Sequence, residues 1–497
     1  MVAVDILLIL GVGAFLTPVI GYFLGDKERL LGYYVAALHG IALIYIYLNV
    51  IYSGVSSEPF YVFRSPVSSA LVFDYVSLFF TTVFLIVGFV SAIHSIGYMA
   101  RDRNLTIYYT LYLMMMLGLI GLSMAYDLFT FFVFWEAMAI SSYVLVAFRY
   151  HLDEPVEAGM KYLIMSGVGS LLVLYAISLT YGLIGSLRLD YIVQYMISII
   201  SFASIEYLTI PILIVTLLLV GFGIKAAYFP FWTWLPDAHP AAPSPISALL
   251  SGIVIKAGIL GIMRFVLPVL IQKPLSFGPP IYALAILTMT VPNIIALMQD
   301  DIKRLLAYSS IVNIGFILIG IAAYVYGSPL YGAAASLSHV LSHALGKGLG
   351  FLAVGGIIYM METRSIRSMY GLGKKRPLVA LALSMALLSL AGMPPLPGFW
   401  SKWLLILSAI HSKLWILAFL GVFNSVLAVL YYIWLIQRIF FAEPTEEVEH
   451  AHEAHPAIKA ALMILMGIMI LIGLYPQLMY ELAFRASEIL SPLPRIL

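Results

Sequence analysis

IPILIVTLLLVGFGIKAAYFPFWTWLPDAHP, residues 210–240, is the stretch that decides the fold class of this chain. Its first part, residues 210–228, is an apolar run close to the length of about 20 residues that crosses a bilayer. Lys225 lies inside this run, and Pro230 and Pro236 follow it. Proline lacks a main-chain donor and interrupts a helix. The stretch therefore predicts a transmembrane helix that is broken beside a buried lysine.

Three further lysines lie in long apolar runs. Lys402 follows the proline-rich break at residues 394–398, and Lys256 and Lys347 lie inside uninterrupted runs. A charge at the bilayer centre costs about 2.5–3.5 kcal/mol on insertion scales, and such residues usually mark ion or proton pathways. Broken helices line cavities in transporters. The four lysines together predict a pathway.

The composition is that of a polytopic membrane protein. The 497 residues are 63% hydrophobic and only 10% charged, and the mean hydropathy is +1.03. A soluble domain carries about 25% charged residues. The net charge of +2 favours no nucleic-acid partner. Because cysteine is absent, disulfides and thiolate-bound zinc or iron–sulfur sites are excluded from this chain. We expect no metal and no bound cofactor, so any redox cofactors would lie in partner subunits.

Apolar runs predict an all-α bundle of about 14 transmembrane helices, with helices 7 and 12 broken. The first run, residues 4–24, lacks a basic segment and a cleavage site before or after it, so we expect a membrane span and not a removed signal. The predicted helices are 4–24, 30–52, 70–98, 107–126, 128–149, 158–184, 208–228, 244–267, 277–297, 303–325, 332–361, 378–408, 415–441 and 457–480. Helix 7 is expected to continue past its prolines as an amphipathic piece, Phe231–His239.

A weak internal repeat is visible at the two breaks. Residues 230–234, PFWTW, follow Lys225, and residues 399–403, FWSKW, contain Lys402. If helix n corresponds to helix n+5, the two copies have opposite orientation, which is an inverted repeat with ion sites near the midplane. The predicted organisation is 1–106 for helices 1–3, 107–270 for the first repeat (helices 4–8), 271–441 for the second (helices 9–13), and 442–497 for an acidic, His-containing connection and helix 14.

Basic residues favour the connections after odd-numbered helices. Those connections contain Lys27, Arg29, Arg101, Arg103, Arg149, Lys303, Arg304, Arg364, Arg367, Lys374, Lys375, Arg376 and Arg438. Those after even-numbered helices contain Arg64, Arg188, Arg264, Lys273, Lys413 and Lys459. By the positive-inside rule the odd connections are cytoplasmic. We therefore expect a multi-pass protein of the cell (inner or plasma) membrane with both termini on the extracytoplasmic side.

Glu136 is the acidic residue most deeply placed in an apolar helix, within FFVFWEA at residues 131–137. Burial favours the neutral forms of acids and lysines, and an opposite charge nearby favours the charged forms. With Lys225 as partner, movement of Glu136 would switch the lysine between holding and releasing a proton. The alternative is a static ion pair that fixes helix packing.

Lys256 is the candidate central relay, because it lies midway along its helix between Gly252 and Gly258, beyond easy snorkelling distance. His339, His343 and Lys347 share one helix face at i, i+4 and i+8. Imidazole both accepts and donates protons, so this face predicts a hydrated proton wire. The alternatives are a metal or haem site and histidines that only hydrogen-bond within the bundle.

Asp237 and His239 follow the break of helix 7 and predict a vestibule above Lys225, unless Asp237 merely caps a helix. The charges at 300–304 are expected to be an ordinary cluster at a helix start. The segment Glu443–His455 is rich in Glu and His. Its composition is compatible with metal binding, but a solvated connection is favoured.

Several of these stretches resemble one family closely. They are WE at 135–136, KAAYFPFWTWLPDAH at 225–239, APSPISALLSGIVIK at 242–256, DDIKRLLAYSS at 300–310, the segment from Ser338-His339 to Lys347, and that from GMPP at 392–395 to Lys402. The chain resembles the antiporter-like membrane subunits of respiratory complex I, of membrane-bound hydrogenases and of Mrp-type cation/proton antiporters, and it is most similar in length to the D subunit of the Mrp antiporters. The resemblance covers helices 3 to 13.

The resemblance implies a proton path along the membrane midplane formed by Glu136, Lys225, Lys256 and Lys402, with His339, His343, Lys347, Asp237 and His239 as accessory positions. It also implies partner membrane subunits, and a hydrogenase-like peripheral arm if the host is of that kind. The chain would carry protons, or exchange them for sodium, for an oxidoreductase complex resembling NADH:quinone oxidoreductase or membrane-bound hydrogenase, with no redox chemistry of its own.

Three alternatives remain open from the sequence. One is an Mrp-type sodium/proton antiporter subunit without redox partners. The second is a stand-alone secondary transporter for a small solute, and the third is a membrane anchor with a vestigial path.

Overall fold

The computed structural model describes residues 2–61, 69–202, 208–270 and 277–491. Within these ranges thirteen helices are long and apolar enough to cross a membrane. They are Val2–Leu24, Lys27–Ser53, Tyr75–Arg101, Leu105–Met124, Leu128–Val146, Asp153–Ile184, Thr209–Ala226, Ser244–Leu270, Gly278–Ala296, Ile302–Val325, Pro329–Met361, Trp415–Phe441 and Pro456–Leu474. Helix 12 adds a fourteenth as two halves, Pro377–Ala391 and Pro397–His411. The prediction of an all-α multi-pass membrane protein is confirmed.

We number these helices 1 to 14 in chain order and call the two faces of the bundle the odd side and the even side, after the connections that each contains. Helices 3, 8, 10 and 11 are buried on nearly all sides, whereas helices 1 and 2 lie at the periphery. The predicted pathway residues on helices 8 and 11 therefore lie in the centre of the bundle. Arg64, Lys273 and the predicted repeat boundary at 271 lie outside the described residues.

Helix 7 breaks as predicted, but its second half is shorter than expected. The first half ends at Ala226, and Ala227 takes a left-handed conformation with φ 57°. The chain then turns through residues 228–234 before the short helix Leu235–Ala241. The expected amphipathic piece Phe231–His239 is thus wrong at its start, because turns replace its first helical turn.

Three elements were not predicted. The strands Ser56–Tyr61 and Ala70–Phe73 form an antiparallel hairpin, so helix 3 begins at Tyr75 and not at residue 70. Asp74 fixes that start by accepting a hydrogen bond from the Ser77 main-chain N–H at 2.8 Å. Two amphipathic helices, Leu189–Phe202 and Gln477–Leu490, also form on the even side. Apolar-run length detects only spans, and these helices are too polar on one face to register.

Two features shape helix 8 and helix 12. Helix 8 contains two π-helical segments, Leu250–Val254 and Ile262–Val266, on either side of Lys256. Such wider turns are frequent at functional sites. In helix 12, a Cβ built on Gly398 would lie 1.7 Å from the Ser389 carbonyl oxygen. Only glycine allows the two halves of the broken helix to approach this closely.

Candidate functional site: a row of buried lysines

Lys225 is buried at the end of the first half of helix 7. Its ammonium donates hydrogen bonds to the Tyr162 hydroxyl at 2.8 Å and the Ser166 hydroxyl at 3.2 Å, both on helix 6. Its Nζ also lies 5.1 Å from the centre of the Tyr143 ring. Trp234, beyond the break, stacks on Tyr162 at 4.1 Å. Both sides of the broken helix thus enclose the partner of the lysine.

Glu136 is only half-buried, and its Oε1 has no hydrogen-bond partner in the described part of the chain. Among those residues Glu136 makes no ion pair within 4.0 Å, although its charge acts on Lys225. The expected direct pair is therefore not formed. The reason is that hydroxyl and aromatic groups of helices 5 and 6 surround the ammonium. Tyr143, which lies on the same face of helix 5 as Glu136, contacts it instead.

Lys256 is fully buried at the centre of helix 8. Its ammonium donates to the Ser251 main-chain carbonyl, which belongs to the first π-helical segment. The Ser251 hydroxyl in turn lies 2.6 Å from the Ser310 hydroxyl of helix 10. The π turn therefore supplies a main-chain acceptor for this lysine in the middle of the membrane.

The predicted polar face of helix 11 contacts helices 10 and 12. Lys347 donates to the Leu306 carbonyl at 2.8 Å and to the Ser309 hydroxyl. His339 lies 3.1 Å from the Asn313 amide oxygen and 3.0 Å from the Ser401 hydroxyl. The face therefore connects helix 10 to the break of helix 12.

His343 is the least satisfied member of this face. Its ring is parallel to that of His339, with the centres 6.2 Å apart, and neither ring nitrogen has a partner among the residues described. Buried polar groups are nearly always hydrogen-bonded, to protein or to ordered water. No group of three or more His, Asp or Glu that could hold a metal occurs within the described ranges.

Lys402 lies beside the break of helix 12. Its ammonium donates to the Leu390 carbonyl at 2.8 Å and the Ala391 carbonyl at 3.2 Å, and it lies 4.5 Å from the centre of the Phe316 ring. The neighbouring Ser401 hydroxyl lies 2.6 Å from that of Ser342 on helix 11. Lys402 thus occupies the carbonyls that the helix break exposes.

Asp237 and His239 do not form one vestibule. Asp237 lies on the odd side in ion pairs with Lys161 and Arg304, each at 3.0 Å. It caps no helix, because the helix Leu235–Ala241 has no side-chain cap at its start. His239 is fully buried and stacks on Phe351 at 4.5 Å. The two residues therefore lie at different depths.

The sequence analysis missed two buried cations. Lys303, expected in a surface cluster, is 2% exposed and donates to the Ala242 carbonyl at 2.7 Å. Helical spacing would have shown this, because Lys303 shares a face with the buried Leu306 and Ser310. Arg264, counted with the even-side connections, lies inside helix 8.

Arg264 forms a buried ion pair with Asp74. The Arg264 Nη2 lies 2.7 and 2.8 Å from the two carboxylate oxygens of Asp74, and Nη1 donates to the Ala125 carbonyl at 3.2 Å. Removing one partner of such a pair typically costs about 3–5 kcal/mol. The pair anchors the second π-helical segment of helix 8 to the start of helix 3.

The acidic segment Glu443–His455 joins helices 13 and 14 through exposed ion pairs. Its carboxylates pair with Lys374, Lys375, Arg376 and Lys459. The Lys459 hydrogen bond, followed by the charge of Arg376, lowers the pKa of Glu453 below its ordinary value. These contacts fit the expected solvated connection.

The comparisons with known proteins agree with this architecture. Residues 125–428 match the family described as NADH:quinone oxidoreductase/Mrp antiporter, TM, and residues 62–109 match the N-terminus of complex I chain 5. The chain belongs to the NADH:quinone oxidoreductase/Mrp antiporter transmembrane family, which confirms the predicted resemblance.

The relatives are subunits of larger complexes. The chain is 30% identical over 495 residues to F(420)H(2) dehydrogenase subunit N of Methanosarcina mazei, which covers 98% of this chain and 96% of that protein. It is 33% identical over 432 residues to NADH-quinone oxidoreductase subunit N of Trichlorobacter lovleyi, over 86% of each. A chain of the membrane-bound sulfane sulfur reductase, an archaeal respiratory membrane complex, superposes with a TM-score of 0.87 at 28% identity, over 98% of this chain and 97% of that one.

Proposed function

We propose that this chain translocates protons as one membrane subunit of a multisubunit respiratory complex, with redox cofactors in its partner subunits. The observation that carries the proposal is the row of buried lysines, Lys225, Lys256, Lys347 and Lys402. Each ammonium is hydrogen-bonded to a hydroxyl or to a main-chain carbonyl at a break, a π turn or a neighbouring helix. Charges in the membrane are rare and mark ion or proton relays.

The proposed path begins at Glu136 and ends at Lys402. A change in the position or charge of Glu136 alters the field at Lys225, which then holds or releases a proton through the Tyr162 and Ser166 hydroxyls. Hydroxyls both donate and accept, so they pass a proton without a net change. Lys256 relays it across the centre of the bundle. Lys402 exchanges it with the second aqueous side at the break of helix 12.

The half-exposed position of Glu136 supports a neighbouring membrane subunit. Val133, Ile140 and Val144, which also lie on helix 5, are exposed and apolar. A carboxylate among such residues at the depth of the hydrocarbon would be costly against lipid. We infer that a partner subunit covers this part of helix 5 and supplies a polar contact for Glu136.

The orientation is also part of the proposal. Fourteen spans place both termini on the same side of the membrane, and the excess of Lys and Arg on the odd side supports a cytoplasmic odd side. The termini are then extracytoplasmic, in the plasma or inner membrane. The repeats 107–270 and 271–441 are the proposed functional units.

Alanine replacements of Lys225 and Lys256 test the function. In the assembled complex, reconstituted in vesicles, Lys225→Ala and Lys256→Ala should abolish proton transport coupled to electron transfer. The matched control is Lys459→Ala, which removes an exposed lysine outside the bundle core. Normal transport by both variants would refute the function, and loss of assembly would instead support a structural role.

Purification of the native complex identifies the host. Co-purifying subunits with iron–sulfur or other redox metal content would support the respiratory complex. Only small membrane subunits without redox metal would assign the chain to an Mrp-type sodium/proton antiporter. A single chain that transports alone would refute both.

A further inference from the structure

Lys303 occupies an unusual position at the odd-side end of helix 10. Its charged group is buried, although its sequence neighbour Arg304 has a side chain that is 39% exposed. The ammonium donates to the Ala242 carbonyl at 2.7 Å and lies 3.4 Å from the Ser247 hydroxyl. Lys303 is therefore held between the short helix after the break of helix 7 and the start of helix 8.

Outside Lys303 lies a layer of exposed charges. Asp237 pairs with Arg304 and with Lys161, whose side chain is 48% exposed. Asp301, which caps helix 10, pairs with Arg364 at 3.1 Å. These side chains are partly in contact with solvent, so water reaches the layer next to Lys303.

Inside Lys303 lies His239. The Ser247 hydroxyl, a neighbour of the Lys303 ammonium, donates to the His239 carbonyl at 2.9 Å. The His239 ring is fully buried, and neither nitrogen has a partner in the described part of the chain. The charges of Lys303, Lys347 and Lys256 all act on this ring. His239 therefore lies between Lys303 and the central lysines.

We propose that Lys303 and His239 form the odd-side access of the proton path, a deeper statement that rests on the proposed function. The Lys303 ammonium releases a proton, through water, to one ring nitrogen of neutral His239. The other nitrogen releases its proton towards a neutral amine of Lys256 or Lys347. The Lys303 amine then regains a proton from odd-side water, so the cycle is balanced.

The corresponding position in the first repeat differs. Asp127 caps helix 5 as Asp301 caps helix 10. Two residues after the cap, helix 10 has the buried Lys303, whereas helix 5 has Phe129, which is 44% exposed. A lysine is thus present at the odd-side position and not at its even-side counterpart, which supports access from one side at this place.

Cysteine labelling tests the access without requiring transport. The chain contains no cysteine, so Ser247→Cys introduces a single thiol beside Lys303. The matched control is Ser95→Cys on helix 3, because Ser95 is equally buried, also lies towards the odd side and contacts Tyr109 away from the path. Lys374→Cys and Ser198→Cys report the odd and even surfaces.

In the complete complex, a small membrane-impermeant methanethiosulfonate is added to one side at a time, and the mass of this chain is measured. We expect labelling of Ser247→Cys from the odd side and no labelling of Ser95→Cys. Equal labelling of the two positions, or labelling of Ser247→Cys only from the even side, would overturn the proposed access. The proposed function would stand in that case, because it depends on Lys225 and Lys256.

Replacements of Lys303 distinguish a proton carrier from a structural anchor. Lys303→Met should reduce proton transport by on the order of 100-fold, the lower end of what a positioned proton carrier contributes. Lys303→Arg should be equally slow, because arginine keeps the charge but does not release its proton. Arg304→Met, the adjacent control, should transport normally. Rescue by Lys303→Arg would show a structural anchor and overturn the role of Lys303, even if Lys303→Met fails to assemble.

Discussion

Lys225 and Lys402 lie beside the two helix breaks, yet their ammonium groups have different partners. Lys225 donates to the hydroxyls of Tyr162 and Ser166, whereas Lys402 donates to the main-chain carbonyls of Leu390 and Ala391. A hydroxyl accepts and donates, but a carbonyl only accepts. The first site is therefore suited to passing a proton onwards, and the second to holding a charged ammonium until water or another group displaces it.

The comparison is tested most strongly by removing each lysine. Lys225→Met and Lys402→Met should both reduce coupled proton transport by on the order of 100-fold or more, because each removes a proton carrier. They should differ in stability, since Lys402→Met leaves two buried carbonyls without their donor. A buried unsatisfied group costs about 1–3 kcal/mol. We therefore expect the lower thermal denaturation midpoint for Lys402→Met, measured in detergent on the purified complex.

Arginine at each position provides the control for that pair. The guanidinium introduced by Lys402→Arg would restore the hydrogen bonds to the carbonyls but not the transport, so this variant should regain stability only. Equal midpoints for Lys225→Met and Lys402→Met would contradict the difference between the two sites.

The geometry of the breaks gives the next largest effect. In Gly398→Ala the new methyl group meets the Ser389 carbonyl oxygen, so the halves of helix 12 must separate. Such overpacking typically costs about 1–3 kcal/mol. We expect a lower denaturation midpoint together with slower transport through Lys402. Gly467→Ala is the matched control, because the position on helix 14 has open space for a Cβ; an equal loss of stability there would argue against a local effect at the break.

Removal of one hydroxyl separates the two sites more finely. Tyr162→Phe deletes the strongest partner of Lys225 and keeps the ring stacked on Trp234. The lost hydrogen bond to a charged group is worth about 1.5–3 kcal/mol, so the transport rate should fall by roughly ten- to a hundredfold. Ser408→Ala, on the second half of helix 12, is the control. Unchanged transport in Tyr162→Phe would mean that the hydroxyl carries no proton.

Exposed ion pairs set the lower limit of the scale. The pKa of Glu453 is lowered mainly by the Lys459 hydrogen bond, so its stabilising contribution is present at neutral pH and is lost as the pH falls through its pKa. Because both side chains are exposed, the contribution is small. Glu453→Gln should change the denaturation midpoint less than any variant above, and the small difference from wild type should vanish in acid. A large change would show that the connection between helices 13 and 14 has a greater structural role.

Much of the site was predictable because the bilayer penalises charge. Lys225, Lys256, Lys347 and Lys402 stand out against apolar surroundings, and each is buried in the bundle. Lys303 and Arg264 were not recognised, because both lie near predicted helix ends, where a surface position is the ordinary expectation. Only their packing against residues distant in sequence, Ala242 and Asp74, shows that they are buried.

Partners were less predictable than positions. Glu136 was expected to pair directly with Lys225, but aromatic and hydroxyl groups from helices 5 and 6 surround the ammonium. The breaks were predictable from proline, whereas the π-helical segments of helix 8 have no comparable residue signal. The hairpin and the two amphipathic helices were missed because they do not span the membrane.

The sequence by itself determined the class of protein, the fourteen spans, the broken helices and the residues that place charge in the membrane. These follow from local composition, because hydrocarbon excludes unpaired polar groups wherever the chain goes. Only the tertiary structure decided which group each charge meets: hydroxyls for Lys225, a π-turn carbonyl for Lys256, break carbonyls for Lys402 and the Ala242 carbonyl for Lys303. Hydrogen bonds act over about 3 Å, and that proximity is fixed by packing between helices far apart in the chain.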